Sequence, residues 1–88
     1  MRFVLTAVGV NKPGVLAQIT RRLAEKGANI LDISQKILSD VYALFLIAEL
    51  EDSGNFKELK EDIEAMSERL GAKIVLFEES LLRYMHRI

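Results

Sequence analysis

An α+β domain with the element order β-α-β-β-α-β is what this 88-residue sequence predicts, on three observations. Two helix-length segments carry apolar residues three and four apart, four strand-length segments are rich in apolar and β-branched residues, and polar or Gly-containing turns separate them. A short echo, Gly27-Ala28-Asn29-Ile30 after the first helical segment and Gly71-Ala72-Lys73-Ile74 after the second, marks the same β-α-β unit twice.

Residues 2–10 form the first apolar strand. Asn11-Lys12-Pro13-Gly14 then turns the chain into a helix over 13–26, where Pro13 suits a first position because its missing N–H has no intrahelical use. Leu16, Ile19 and Leu23 make its apolar stripe, with Val15 beside it, and Gly27 supplies the left-handed residue that closes it. The second strand, 29–39, sets Leu31, Ile33 and Ile37 on one face and Asp32, Ser34 and Lys36 on the other. Ser39-Asp40 is the only turn before a third strand at 41–50, so the two strands form a hairpin. A loop at Asp52-Ser53-Gly54-Asn55 leads to a helix over 56–70, with Asn55 as N-cap and Glu58 reaching back as in a capping box. Its stripe is Phe56, Leu59, Ile63, Met66 and Leu70; Gly71 ends it, and 72–79 is the fourth strand. The tail, 81–88, is too apolar to be idle and packs on the domain or on a partner chain, with its lone His86 capping or packing a terminal helix.

Right-handed crossovers and an adjacent hairpin leave few topologies. The simplest is the ferredoxin-like sandwich, a four-stranded antiparallel sheet in the order 4-1-3-2 with both helices on one face. The first and third strands are apolar on both faces, including Val4, Val8, Val41 and Phe45, and two helices cover only one. The remaining patch predicts a homodimer or higher homo-oligomer.

Half of the residues are hydrophobic, the net charge is −1 and cysteine is absent. Such balance disfavours nucleic acid, whose partners carry a basic excess. The run Phe3 to Val10 is too short to span a membrane, and a cysteine-free small domain belongs in the cytoplasm. One histidine and no cysteine make no metal site, and nothing implies a cofactor. Adjacent carboxylates such as Glu78 and Glu79 point to opposite faces of a strand, so no catalytic pair emerges and the chain is not read as an enzyme.

The junction of the first strand and helix is the one constellation with binding chemistry. N–H groups of Gly14, Val15 and Leu16 lie in the first helical turn without intrahelical acceptors and, with the helix dipole, suit a carboxylate. The same residues also serve simply to start a helix. Together, Asn11-Lys12-Pro13-Gly14-Val15-Leu16 and Gly27-Ala28-Asn29-Ile30 resemble the two motifs of the ACT domain, over residues 2–80 of the chain. The tail Tyr84-Met85-His86-Arg87-Ile88 is similar to that of small stand-alone bacterial and archaeal members.

The resemblance implies a regulatory module that binds a small molecule, usually an amino acid, where two domains meet. It implies a ligand site at Asn11, Lys12, Pro13, Gly14, Val15, Leu16, Asn29 and Ile30, and leaves room for a regulated protein partner. A helix of about fourteen residues separates Asn11 from Asn29 by ~20 Å. If both hold one ligand, Asn29 comes from a neighbouring chain. The alternative is a structural or protein-interaction domain with no small ligand.

Overall fold

A computed structural model describes residues 1–86, with side chains through Tyr84. Its elements are β1 (Arg2–Val10), α1 (Val15–Glu25), β2 (Asn29–Leu38), β3 (Val41–Glu49), a 3-10 turn (Ser53–Asn55), α2 (Phe56–Glu64), α3 (Ser67–Leu70), β4 (Ala72–Glu78) and α4 (Glu79–His86). The strands form one antiparallel sheet in the order β2-β3-β1-β4, the order expected from the sequence. β1 is central, pairing with β3 from Arg2↔Glu49 to Val10↔Val41 and with β4 from Phe3↔Glu78 to Gly9↔Ala72.

The core lies between the sheet and the helices α1 to α3. Phe3, Leu5 and Ala7 of β1, Leu44 and Leu46 of β3, and Ile74 and Leu76 of β4 are buried with Ile19, Leu23, Leu59 and Ile63 from the helices. An ion pair from Arg22 to Asp62, 2.9 Å, joins α1 to α2 across their solvent side.

Several boundaries differ from the sequence expectation, each for a local reason. α1 starts at Val15 because Gly14, with φ +85°, is not helical. The expected helix over 56–70 is divided at Ala65 and Met66 into α2 and α3, although its apolar stripe is unbroken. Asn55 has a helical backbone and makes no side-chain cap; Asp52 instead accepts from the Gly54 N–H at 2.9 Å and organises the 3-10 turn. Glu58 does not reach back either and pairs with Lys26 at 3.4 Å. In β2 a bulge between Ile30 and Asp32 takes Leu31 out of the ladder. Beyond it the expected alternation holds: Ile33 and Ile37 oppose the core residues Leu46 and Tyr42, while Asp32, Ser34 and Lys36 oppose Ile47, Phe45 and Ala43.

The face turned away from α1 and α2 is partly covered within the chain. Val4 lies there and is wholly buried, and α4, starting at Glu79, packs against β1 and β4. Val8, Val10, Val41 and Phe45 remain exposed. The expectations for His86, Arg87 and Ile88 lie outside the described side chains.

The two sheet edges differ. On β4, the Ile74 N–H donates to Ser67 Oγ at 3.1 Å and the Leu76 N–H to Glu64 Oε2 at 2.8 Å, while Lys60 Nζ donates to the Leu76 carbonyl at 2.7 Å. Side chains of α2 and α3 thus occupy backbone positions that a further strand would use. β2, at the other edge, is exposed along all its residues except half-buried Ile30.

Two predictions follow from the packing. Burial alone would raise the Glu64 carboxyl, but its bonds from Lys60 and the Leu76 N–H, with the charges of Lys60 and Lys73, hold it below the ordinary value of 4.5. A lowered folded-state value stabilises the protein above the unfolded-state value, and that contribution is lost as pH falls through the folded one. Thermal melts between about pH 7 and pH 3 should therefore show Glu64→Gln less stable than wild type near neutrality, with the gap closing in acid. At Gly9, a Cβ would collide with the Gly71 carbonyl and the Ala72 Cα, both backbone. Gly9→Ala should cost roughly 1–3 kcal/mol by forcing β1 from β4, read as a lowered midpoint in urea.

Candidate functional site

The β1–α1 turn is tied to the two turns beside it. The Val10 N–H donates to the Gly71 carbonyl at 3.0 Å, at the exit of α3, and the Asn11 N–H to the Asp40 carbonyl at 2.8 Å, in the β2–β3 hairpin. Lys12 extends across Gly71, its Cε 3.0 Å from where a Cβ on that glycine would stand. Gly14 adopts a left-handed conformation that a β-carbon would strain, and its carbonyl accepts the first α1 bond, from the Gln18 N–H at 3.0 Å. Val15 is buried and anchors the helix start, with Leu16 half-buried beside it. No side chain caps α1 and its first turn holds no acidic residue, so its positive end is not offset locally. Asn11, Lys12, Pro13 and Gly14 are exposed there.

Asn29 and Ile30 stand elsewhere. Asn29 opens β2 opposite Glu49, which in turn opposes Arg2, whereas Asn11 follows Val10 at the far end of the same strand. Eight residue steps along β1, about 27 Å at ~3.4 Å each, separate the two ends. The structure therefore brings together Asn11 to Leu16 and leaves Asn29 and Ile30 apart within one chain. Asn29 is exposed and lines an open groove of about 580 Å³ with Lys26, Glu49, Asp52 and Asn55. Ile30 packs against the core. This groove draws on four separate segments, so no contiguous motif announces it; the turn residues after β3 were the nearest signal.

The Tyr42 hydroxyl is pushed up by burial and donates to Gln35 Oε1 at 2.8 Å, joining β3 to β2. Glu64 belongs to the clamp on β4. Among the described residues no three His, Cys, Asp or Glu side chains converge as a metal site, and no helix is long and apolar enough to cross a membrane.

A family model described as the ACT domain matches residues 1–76. A protein of Methanococcus maripaludis, named only as a UPF0237 protein, is 40% identical over 86 residues, covering 97% of this chain and 96% of that protein. An ACT domain protein from Streptococcus pneumoniae superposes with a TM-score of 0.82 at 29% identity, covering 93% of each chain. The regulatory subunit of aspartate kinase from Thermus thermophilus, at 19% identity, shares the fold with a TM-score of 0.69 over 89% of this chain and 51% of its own.

Proposed function

The chain belongs to the ACT domain family, and on that premise we propose that it is an amino-acid-binding regulatory module that works as a homo-oligomer and has no reaction of its own. The observation that carries this reading is the β1–α1 turn. Gly14 bends the backbone so that α1 begins uncapped beside exposed Asn11, which suits the carboxylate of a small ligand. Val15 and Leu16 supply N–H groups, Lys12 adds positive charge, and Pro13 and Gly14 form the surface the ligand approaches. The Asn11 amide has a donor and an acceptor for the ligand's carboxylate and ammonium. Asn29, flanked by Ile30, completes the site from a neighbouring chain, since its own Asn11 is a strand length away. The regulatory subunit of aspartate kinase, which has this fold, lends support to a regulatory role. We place the cysteine-free chain in the cytoplasm, where the protein it regulates would meet it.

A second reading, a structural or protein-binding domain without a small ligand, draws on the exposed apolar side chains of β2, Leu31, Ile33, Ile37 and Leu38. A thermal-shift panel of amino acids separates the two. A ligand at 100 times its dissociation constant should stabilise the fold by roughly 2.7 kcal/mol, and a panel without any shift favours the second reading.

Asn11→Ala and Asn29→Ala should each weaken binding by roughly 1–2 kcal/mol with little change in fold stability, because both side chains are exposed. Valine at Gly14 is the poorer test, since the left-handed backbone there would strain the fold itself. In dimers mixed from the two Asn variants, calorimetry should find one intact site per dimer. Two singly damaged sites would instead mean that each chain binds alone.

A further inference from the structure

Ion pairs lace the seam between α1 and α2, stepping four residues at a time along each helix. Lys26, just past the end of α1, pairs with Glu58 at 3.4 Å, and Arg22 pairs with Asp62 at 2.9 Å. The helices therefore run antiparallel, and the next step along α1 is Gln18. Across from it α2 has ended, and Met66 and Arg69 of the α3 segment line the same groove as Gln18. At this third step the pattern of cation facing carboxylate stops, and a neutral amide shares the groove with an arginine. Among the described residues Arg69 has no ion-pair partner. Neither it nor the Gln18 side chain makes a side-chain hydrogen bond among those residues.

We infer that this third step of the seam is a binding site for a phosphate monoester, held by Arg69, Arg21 and the Gln18 amide. The groove measures about 360 Å³ and is lined by Gln18, Arg21, Arg22, Glu25, Met66 and Arg69. Its single carboxylate, Glu25, is already held by Arg21 at 3.8 Å and Arg22 at 3.5 Å, and Arg22 is tied to Asp62 as well. Positive charge thus exceeds negative in the groove, and a concave surface of one sign concentrates the opposite ion. Guanidinium groups bind oxyanions through paired N–H groups, with more direction than an ammonium gives. A carboxylate has two oxygens in one plane, which a single guanidinium satisfies. A phosphate monoester offers three terminal acceptor oxygens in a tetrahedron. Gln18 and Arg21, three apart on one face of α1, and Arg69 on α3 approach from two helices, which matches the second shape. Met66 is buried and gives the groove an apolar floor for the carbon substituent.

The site is separate from the amino-acid site proposed at the β1–α1 turn, and neither depends on the other. Gln18 stands near both, since its Nε2 lies 3.8 Å from where a Cβ on Gly14 would be. Lys12 and the start of α1 attract anions too, so the experiment has to separate the turn from the groove.

Titration of the whole chain with glycerol phosphate, followed by nitrogen-resolved NMR at constant ionic strength, tests the site. The Gln18 side-chain amide, the Arg21 and Arg69 Nε–H groups and the Met66 N–H should shift together and saturate. R69Q should weaken the apparent affinity about tenfold or more. Q18E places a carboxylate beside Arg69, completes the third ion pair of the seam and should weaken binding as much. Gln18 and Arg69 are both exposed, so these variants should stay folded, which the rest of each spectrum verifies. K12Q should leave the affinity unchanged. Inorganic phosphate should bind at the same residues, and acetate about tenfold more weakly than the ester. Shifts that never saturate, or R69Q and Q18E binding as wild type does, would overturn the inference. So would acetate binding as tightly as the ester, inorganic phosphate binding where the ester does not, or loss in K12Q with R69Q unaffected, which places the anion at the turn.

Discussion

Everything in this fold hangs on β1, the strand that is hydrogen-bonded on both sides and, over its first half, packed on both faces. Phe3, Leu5 and Ala7 point into the layer under α1 and α2, while Val4 points the other way and is equally buried. A central strand with one face in the core tolerates no slip, because a one-residue shift would exchange its two faces. Its register with β3 and β4 therefore fixes where the hairpin tip and the exit of α3 arrive. Those two turns hold the β1–α1 turn by backbone bonds at Val10 and Asn11. The candidate ligand turn inherits its position from the most constrained strand in the molecule, although its own side chains are exposed.

The outer strands divide the remaining work unequally. Near β4, Glu64 and Lys60 bond each other and the Leu76 peptide, in a partly buried place where screening is weaker than in open water. Residues that could have served solubility alone thus complete an edge. On β2 one backbone group is taken by a side chain, the Ile33 N–H by Asp32 Oδ1, and the apolar side chains are distributed on both faces, at Ile33 and Ile37 on one and Leu38 on the other. Exposed apolar side chains lie on β2 and the adjoining part of β3, at Val8 and Val10 of β1, and at Leu81 and Tyr84 of α4.

The sheet was legible in the sequence because strand periodicity, the hairpin turn at Ser39-Asp40 and right-handed crossovers leave few orders, of which the observed one is the simplest. Local geometry was harder to read. Pro13-Gly14 is compatible with a helix start and with a turn before one, and only the positive φ of Gly14 distinguishes them. Asn55 is a good cap by type, yet Asp52, three residues earlier, accepts from the Gly54 N–H and shapes a 3-10 turn that leaves Asn55 with a helical backbone. The division at Ala65 and Met66 leaves the apolar stripe intact, so periodicity cannot reveal it. For the candidate site, the motif order shows that Asn11 and Asn29 flank a helix, hence that one chain separates them. The groove at Asn29 and the clamp on β4 depend on contacts between distant segments, for which a linear pattern has no mark.

The filled edge at β4 also limits what the molecule can build. In polymer terms, a unit with two reactive ends grows into chains and a unit with one reactive end stops at a pair. Ser67, Glu64 and Lys60 occupy three backbone groups along β4, so a strand joining at that edge would first have to break those bonds. Occupied groups of this kind work against extension of the sheet from molecule to molecule into a fibre.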